Sequence, residues 1–584
     1  MKFERFCEFL DSLDKTPKRL EMTKILGDLI SEIPNNEAKI GTYLSLGMLK
    51  APFEDLKFNF AEKQMIKTLS LWSGETTEEI NKKYSVLGDL GSVAEDLYVQ
   101  KKQKQHESLE VKDLYRHLVE IAELEGTGSQ DKKSQKIISL AGKLNSHLEI
   151  KFTIRIILGN LRLGFTELTI IDALCLILQN KSYKNQIEST YNKFPDIGEI
   201  TERIKIDGIE GIEKIKMKPG VPIEPQKAQR LATAQEIIEK MNHVWCEYKF
   251  DGTRVQLHFD KSQKTSSENL FEKETKFLIK TFTRNLEEST HQYPDLIEGA
   301  LDQIKADSII LDGEAIGYNK DTGEFLPFQE TIQRKRKHNV SEVAKQIPLK
   351  YLVFDILYLN GKEVVKLPLI ERRKLLNDVI KKGNIIEIDS HLETSSEEEV
   401  SKFFKEAKEK GLEGIMVKKP DSTYEAGARA FSWIKFKREE DSEILDTVDV
   451  VVMGYFFGKG VRSDFGIGGF LVGVFNKETQ TYQTVSKIGS GLSDEEWVKI
   501  REDCDKISTT ISPKEYEVAK ELSPDVWVLP KLVVTVRADE VSISPNHTSK
   551  VALRFPRLIS FRYDKSPTDT TSIAEIKDIY NLKR

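Results

Sequence analysis

Apolar residues in the first third of the chain recur at the spacing of amphipathic helices. The first two stripes are Phe3, Phe6, Cys7 and Leu10, followed by Met22, Ile25, Leu26, Leu29 and Ile30. Glycines in "EGTGSQDKKSQ" predict a loop that carries several lysines. We therefore expect residues 1–216 to form an all-α domain.

The pattern changes after "IKMKPGVPIEPQ", where three prolines indicate extended backbone at a domain junction. Alternating apolar residues then predict strands at "VWCEYKF", "VQLHF", "SIILDGEAIGY", "YLVFDILYL" and "GIMVKK". One intervening helix is predicted to begin with a capping box of Ser396 and Glu399 and to end at Gly411. Residues 217–438 are thus expected to form an α/β domain.

From Asp449 onward the apolar runs are short, β-rich and interrupted by glycine, as in "GGFLVGVFN" and "TYQTVSKIG". One helix is predicted by a capping box of Ser493 and Glu496, and further strands by "WVLPKLVVTVRA" and "LISFRYD". Several short strands with one helix are typical of a small β-barrel such as the OB-fold. We expect residues 439–584 to form this third domain.

Composition narrows the class of protein. The chain has 584 residues, too many for one domain, with 39% hydrophobic and 31% charged residues, as in globular proteins. No apolar run approaches the roughly 18 residues of a membrane span, and "MKFERFCEFLDSL" lacks a signal-peptide pattern. We expect an intracellular protein, cytoplasmic or associated with the nucleoid, with no membrane partner. The net charge of −6 does not decide nucleic-acid binding, because local basic faces do.

The cysteines argue against two kinds of stabilising site. Cys7, Cys175, Cys246 and Cys504 are far apart and form no Cys-x-x-Cys pair. A zinc cluster or a disulfide framework is therefore not expected. Each cysteine is predicted to be a small buried apolar residue.

One lysine ends a predicted strand in "EYKFDGTR", residues 247–254, just before a turn that Asp251 and Gly252 predict. A solvated strand-end lysine is the simplest interpretation of Lys249, and a nucleophilic amine is the alternative. Further along, Lys435 and Lys437 are two residues apart on a predicted strand and so share a face. With no adjacent acid these two cations repel unless an anion lies between them, and a polyphosphate is a natural anion.

The ordered stretches "EYKFDGTR", "LDGEAIGYN", "VFDILYLNG", "EGIMVKKP", "WIKFKR" and "LRFPRLISFRYDK" resemble the motifs of ATP-dependent DNA ligases of the archaeal and eukaryotic replicative type. The resemblance covers nearly the whole chain. "ILGNLRLGFTELTIIDAL" resembles that family's DNA-binding domain, which capping enzymes and small RNA ligases lack.

This resemblance implies an architecture and a reaction. The domains would be an all-α DNA-binding domain, an α/β nucleotidyltransferase (adenylation) domain and an OB-fold domain. The implied enzyme is a monomer that seals nicks in double-stranded DNA through a lysyl-AMP and a DNA-adenylate, with ATP and Mg²⁺ as cofactors. It would serve DNA replication, repair and recombination.

The resemblance also implies roles for residues at the nucleotide. Lys249 would attack the ATP α-phosphate, Glu247 would face the adenine, Phe354 would stack on it, and Glu314 would hold the ribose hydroxyls. The expected contacts to phosphate or ribose oxygens are Arg254, Arg284, Arg429 and Lys435, with Lys437 as a further cation of the same site. Glu413 resembles the metal carboxylate, and Mg²⁺ takes such a sparse acid set together with phosphate oxygens.

Other residues are implied outside that site. Arg554 and Arg557 resemble the motif that orients the leaving pyrophosphate, with a solvated strand end as the alternative. Arg155, Arg162 and the lysines of "GTGSQDKKSQK" are expected to contact DNA phosphates, with a solvated helix face as the alternative.

The chain departs from the family pattern at two places, and a third stretch bears on partner binding. The region before the first motif usually resembles Pro-Met-Leu-Ala but here is "EPQKAQ", residues 224–229, so the usual apolar packing is in doubt. The polar stretch "KSQKTSSENLFEKET", residues 261–275, is predicted to lengthen a hairpin loop between "VQLHF" and "FLIKTF". The stretch "VQKKQKQHESLEV" offers glutamines but no aromatic pair, so sliding-clamp binding is not assigned.

Three alternatives remain at this point. An RNA ligase or capping-type nucleotidyltransferase would share the lysine chemistry but not the helical domain. An NAD-dependent ligase would carry a four-cysteine zinc site. An inactive DNA-binding scaffold would not need Lys249, Glu314, Glu413 and Lys435 together.

Overall fold

The computed structural model describes residues 1–101, 109–231, 233–263, 277–326, 328–331, 334, 344, 346–437, 447–458, 462, 465–538 and 540–581. Its N-terminal part is helical, as the 3.6-residue periodicity predicts. The helices before the first strand are α1 (Phe3–Asp14), α2 (Arg19–Glu32), α3 (Ala38–Ser45), α4 (Glu62–Ser73), α5 (Thr77–Leu87), α6 (Leu90–Lys101), α7 (Val111–Ala122), α8 (Ser129–Ala141), α9 (His147–Ile157), α10 (Glu167–Ile177), α11 (Lys184–Lys193) and α12 (Ile197–Asp207).

Strands begin after the proline-rich stretch, as expected. They are β1 (Lys227–Arg230), β2 (Val244–Lys249), β3 (Thr253–Asp260), β4 (Leu278–Thr283), β5 (Ser308–Gly317), β6 (Leu349–Leu359), β7 (Lys362–Glu363), β8 (Ile386–Ile388), β9 (His391–Thr394), β10 (Gly414–Lys418) and β11 (Arg429–Lys437). The helices among them are α13 (Ala234–Met241), α14 (Pro294–Gln303), α15 (Phe328–Thr331), α16 (Leu369–Val379) and α17 (Glu397–Glu409).

The C-terminal part consists mainly of short strands, again as expected. They are β12 (Val448–Phe456), β13 (Gly469–Asn476), β14 (Thr481–Ile488), β15 (Ser508–Thr509), β16 (Tyr516–Glu517), β17 (Val526–Val528), β18 (Val533–Arg537), β19 (Glu540–Ile543), β20 (Val551–Arg554) and β21 (Arg557–Phe561). Two helices, α18 (Asp494–Lys506) and α19 (Ile573–Asn581), accompany these strands.

The chain packs as two compact units. The first contains residues 1–61 and 103–438, and the second contains residues 62–102 and 439–584. These units do not follow the predicted domain boundaries one for one, because α4, α5 and α6 belong to the second unit. The boundaries at 216 and 438 therefore remain a prediction.

Two sheets form the α/β part of the first unit. One has the strand order β1-β11-β10-β2-β9, and α13 and α17 cover it with Ile237, Met241, Val400 and Ala407. The other has the order β4-β3-β5-β6-β7 with β8 on β6, and α14 and α16 cover it. A smaller cluster around Trp433 joins residues of both sheets. Burying one face of each sheet under helices leaves side chains of the two sheets free to line a cleft.

The predicted hairpin around the polar insertion is confirmed by its two strands. β3 and β4 pair antiparallel, from Val255 opposite Thr283 to Asp260 opposite Leu278. Residues 264–276, which make up most of the insertion, lie outside the described residues.

At "EPQKAQ", where the chain departs from the family pattern, the structure has a network of polar hydrogen bonds in place of the usual apolar packing. Gln226 is fully buried. Its backbone N–H donates to the Tyr424 hydroxyl at 3.0 Å, and its side-chain amide donates to Ser432 Oγ at 3.0 Å. Its amide oxygen accepts from the Glu425 N–H at 2.8 Å. Because buried polar groups are tolerated when they are bonded, Gln226 fits a position where an apolar residue is expected.

The second unit is built on a sheet ordered β15-β17-β12-β13-β14-β16, to which β18 and β21 add through β12. Register shifts in the β12–β13, β13–β14 and β18–β21 pairs bend these strands into a curled sheet. Its core includes Trp497, Ile500 and Cys504 of α18. All four cysteines of the chain are buried, which confirms the prediction that each is a buried residue.

The two predicted capping boxes differ in the structure. At α18 the box is complete: Ser493 Oγ accepts from the Glu496 N–H, and the Glu496 carboxylate accepts from the Ser493 N–H at 2.8 Å. At α17, Ser396 Oγ accepts from the Glu399 N–H at 3.3 Å, but the Glu399 carboxylate accepts from the Thr394 hydroxyl instead. The expected reciprocal bond is therefore corrected at α17, because a closer hydroxyl on the preceding strand takes the carboxylate.

Within the described residues, none of the helices has both the length and the apolar character to cross a bilayer.

A buried ion pair fixes α16 against β6. Arg372 and Asp355 are both fully buried, and the guanidinium bonds both carboxylate oxygens at 2.7 and 2.9 Å. Arg372→Met leaves a buried carboxylate without its partner, which costs about 3–5 kcal/mol. We expect a large drop in the unfolding temperature by calorimetry. The matched control is Lys350→Met, on the same strand as Asp355. It breaks a half-exposed pair with Glu387 of β8 and should cost less than about 1 kcal/mol. Equal effects of the two variants would contradict this view of the Arg372 pair.

Candidate active site

A cleft of about 570 Å³ opens between the two sheets of the first unit. This volume suits a nucleotide-sized ligand. The residues predicted for the nucleotide and metal sites in this unit all line it: Glu247, Lys249, Arg254, Arg284, Glu314, Phe354, Glu413, Arg429, Lys435 and Lys437. The structure thus brings together residues that are up to 190 positions apart in sequence, from Glu247 to Lys437.

Lys249 is the last residue of β2 and lines the cleft. The turn that follows brings Gly252 against β5, where a Cβ would lie 2.6 Å from the Ala315 carbonyl oxygen and 2.9 Å from Glu314 Cγ. Only glycine fits this approach. Burial lowers the pKa of Lys249, and Arg284 lowers it further, while Glu314 and Asp251 act in the opposite direction. A lowered pKa enlarges the neutral, nucleophilic fraction of the amine.

Glu413 bridges two of the predicted cations. Its carboxylate makes short ion pairs with the ammonium groups of both Lys249 and Lys437. The expectation that Lys435 and Lys437 share a face is confirmed, since both line the cleft. The expectation that no acid lies beside them is wrong for Lys437, because strand pairing supplies Glu413 from β10.

Lys435 lies in a basic part of the cleft. Burial lowers its pKa, and the nearby charges of Arg429, Lys249, Arg230 and Arg284 lower it further. Each of these cations disfavours a positive charge on its neighbours. An anion with several negative charges would relieve the repulsion among them, so this part of the cleft is suited to a phosphate chain.

The guanidinium nitrogens of Arg254 donate hydrogen bonds to other residues of the protein. Its guanidinium bonds both carboxylate oxygens of Asp312 at 3.1 and 2.7 Å and the carbonyl oxygen of Gln226 at 2.7 Å. It also lies 5.4 Å from the centroid of the Phe354 ring. This geometry makes Arg254 a support for the cleft wall, while its predicted contact with the nucleotide stays a prediction.

At the other end of the cleft lies a group of buried charges. Glu247 is 1% exposed and pairs with Arg373 through one carboxylate oxygen and with Lys418 through the other. The Lys418 ammonium lies 4.5 Å from the Phe354 ring centroid. Asp389 completes this end of the lining.

Sequence reasoning missed Arg373, Lys418, Asp389 and Gln226. Lys418 could have been found, because it lies in the motif stretch "EGIMVKKP". It is two residues after Met416, so the two side chains lie on the same face of β10. The others carry no local signal, because a helical arginine and an isolated aspartate after a short strand are common on protein surfaces.

The predicted residues Arg554 and Arg557 belong to the second unit. Arg554 ends β20 and Arg557 begins β21. Phe555, with a φ of +51°, and Pro556 lie between them. Arg557 is placed opposite Arg537 of β18. Their predicted contact with pyrophosphate stays a prediction.

The two arginines predicted to contact DNA differ in exposure. Arg162 is partly exposed, with a φ of +60°. Arg155 is 5% exposed and pairs with Asp14 at 3.0 Å, and it also donates to the Leu161 carbonyl at 3.2 Å. A phosphate contact by Arg155 would require breaking this buried pair, so the geometry favours a structural role for it. Lys133 of "GTGSQDKKSQK" is likewise buried and bonds the Phe58 carbonyl.

Comparison with known families identifies the chain. Family models match along its length: "DNA ligase N terminus" over residues 2–175, "ATP dependent DNA ligase domain" over 225–437, and "ATP dependent DNA ligase C terminal region" over 463–565. The chain therefore belongs to the ATP-dependent DNA ligase family. The N-terminal match favours a DNA ligase over the RNA ligase and capping-type alternatives.

Individual relatives agree with this assignment over the full length. A protein named "Probable DNA ligase" from Dictyoglomus turgidum is 40% identical over 99% of this chain and 97% of its own length. "DNA ligase 2" from Korarchaeum cryptofilum is 36% identical over 99% and 97%. The solved structure titled "Pmar-Lig_Pre." superimposes with a TM-score of 0.53 and 16% identity, over 95% of this chain and 99% of that one, which supports a shared fold alone. The protein is accordingly a DNA ligase that uses ATP.

The partly buried Glu314 generates a pH-dependent prediction. Burial raises its pKa from 4.5 to about 7, while Lys249 and Arg254 act against this rise. Because the folded state binds the proton more tightly, Glu314 contributes stability below about pH 4.5 and loses it as the pH rises to about 7. Glu314→Gln keeps the neutral shape. The unfolding temperature of the variant relative to wild type should therefore rise between these pH values and then level off.

This prediction is checked by calorimetry at a series of pH values. The control is Glu387→Gln, which removes a half-exposed carboxylate paired with Lys350 at 2.7 Å. A difference between Glu314→Gln and wild type that is constant with pH would show that Glu314 does not titrate in this range.

Proposed function

We propose that this protein joins the 5′-phosphate and 3′-hydroxyl of a nick in duplex DNA through an AMP held covalently on Lys249. The observation that carries this proposal is the position of the Lys249 amine, in a nucleotide-sized cleft between Glu413, Glu314 and a cluster of basic side chains. Nick sealing serves DNA replication, repair and recombination.

The amine must lose its proton before it can attack phosphorus. Burial and the nearby Arg284 favour the neutral amine, whereas the Glu413 carboxylate favours the ammonium. The resting arrangement thus orients Lys249 by an ion pair. The phosphate chain of a bound nucleotide would compete for the same ammonium. Lys435, Lys437, Arg284 and Arg429 are proposed to hold that phosphate chain and the ribose.

Glu413 is proposed as the protein ligand for Mg²⁺. Among the described residues there is no group of three or more acidic, histidine or cysteine side chains able to hold a metal. A carboxylate such as that of Glu413 fits Mg²⁺, because this ion completes its shell with phosphate oxygens and water. When bound, the ion would neutralise charge on the phosphates.

The remaining contacts are proposed for the nucleoside and for DNA. Glu247 would face the adenine, Phe354 would stack on it, Glu314 would bind the ribose hydroxyls, and Arg254 would hold the wall behind them. The helical domain, residues 1–216, would bind duplex phosphates with Arg162 among its contacts. Residues 439–584 would form the OB-fold, and nicked double-stranded DNA is the proposed partner of a monomeric enzyme.

The nucleophile can be tested by labelling. With ATP labelled at the α-phosphate, wild type should form an adduct that acid cleaves and base does not, as a P–N bond behaves. Lys249→Ala and Lys249→Arg should form none, because the arginine keeps the charge but supplies no nucleophile at neutral pH. Lys350→Ala, outside the cleft, should label as wild type does. A labelled Lys249→Ala protein would refute the assignment. Wild type that labels but seals no nicked DNA would refute the ligase proposal instead.

The proposed pyrophosphate contacts predict a split between two steps. If Arg554 and Arg557 orient pyrophosphate, alanine at either position should slow self-adenylation by about tenfold or more, since each charged contact is worth about 1.5–3 kcal/mol. Sealing of a nick that already carries 5′-AMP should change much less. Lys506→Ala, which removes the exposed ammonium paired with Asp503 near the end of α18 and outside this motif, is the control. Equal losses in both steps would indicate a DNA contact or a structural role.

A further inference from the structure

Glu247, the residue proposed to face the adenine base, belongs to a group of four buried charged side chains on separate elements. We call this group the base end of the cleft. Glu247 lies on β2, Arg373 on α16, Lys418 on β10, and Asp389 directly after β8. They are 1%, 4%, 1% and 8% exposed, respectively. Of the four, Glu247 and Lys418 lie in the motif stretches quoted above, and the function proposed above assigns no role to Asp389.

The ion pairs of Glu247 fix the direction in which it can hydrogen bond. Arg373 pairs with one of its oxygens and Lys418 with the other, so each oxygen already faces a cation. An ionised carboxylate only accepts hydrogen bonds. Glu247 can therefore receive an amino hydrogen from a base, but it cannot donate to one.

Asp389 is held in place by its own backbone. Its N–H donates to the Val353 carbonyl at 3.0 Å, and its carbonyl accepts from Arg373 at 2.8 Å. Burial raises the pKa of its carboxyl well above the usual range, and the Glu247 carboxylate raises it further, against the opposing charges of Arg373 and Lys418. A protonated carboxyl both donates and accepts. The base end thus presents one fixed acceptor and one donor.

We propose that Asp389 determines the base specificity of this ligase by donating its O–H to ring nitrogen N1 of adenine, while Glu247 accepts from the 6-amino group. The proposal rests on the nucleotide site proposed above. Adenine carries a donor and an acceptor side by side on this edge, and guanine carries them in the reverse order. Guanine would place its O6 acceptor against the Glu247 carboxylate, which is paired with two cations and offers no hydrogen to it, so O6 would be left unpaired.

The test pairs protein variants with an altered base. Self-adenylation is measured as kcat/KM with ATP and with 1-deaza-ATP, in which a C–H replaces N1. Wild type should lose about tenfold on the analogue, which is the value of one hydrogen bond in a dry site. With ATP, the kcat/KM of Asp389→Ala should be lower than that of wild type by a similar factor. Replacing ATP with 1-deaza-ATP should lower the kcat/KM of this variant no further. Asp389→Asn retains a donor and should keep part of the preference. Asp389→Ala should also narrow the preference for ATP over GTP.

The control is Glu387→Gln, two residues earlier on β8, whose side chain pairs with Lys350 outside the cleft. It should match wild type with both nucleotides. Wild type that uses 1-deaza-ATP as well as ATP would overturn the proposal without any variant. Equal losses on the analogue in wild type and Asp389→Ala would also overturn it. Wild type that labels with neither nucleotide would overturn the nucleotide site itself. The failure of that site is thus distinguished from a failure of the Asp389 proposal alone.

Discussion

The antiparallel register of β2, β10 and β11 is the constraint on which the site depends. Gly414 lies opposite Lys249 on one side and opposite Lys437 on the other. Glu413, one residue earlier, is thereby held between the two ammonium groups. Gly414 has a φ of +150°, and a Cβ there would lie 2.5 Å from the Phe436 carbonyl oxygen. A side chain at this position would push β11 away and separate the cations from their carboxylate.

The electrostatics of the cleft follow from this arrangement. Lys249, Lys435, Arg284 and Arg429 gather positive charge in a partly buried space, while the Glu413 carboxylate offsets only part of it. Cations in such a space lower the pKa values of one another and attract polyanions. The same crowding therefore serves two needs of a lysine nucleophile, a smaller proton affinity and a binding site for phosphates.

Buried polar networks behind the cleft set the positions of its walls. Arg254 joins Asp312 of β5 to the carbonyl oxygen of Gln226, and Arg372 joins α16 to Asp355 of β6. Such pairs gain little net stability, because desolvation offsets much of their attraction. Their bidentate geometry instead restricts the strands to one arrangement, and Phe354 and Glu314 are carried on those strands.

The sequence by itself determined the succession of helical, α/β and β-rich regions, the strands around Lys249, and the residues of the motifs. Periodicity, prolines and capping signals are local, so a chain shows them before it folds. Tertiary structure alone decided that Glu413 pairs with Lys249 and Lys437 and that Arg155 and Lys133 are buried. It also decided that Lys418 and Asp389 line the cleft and that Arg373 pairs with Glu247. It also decided that α4, α5 and α6 pack in the second unit. These outcomes depend on strand register and on burial between distant segments, and no local pattern encodes which charge a buried carboxylate meets.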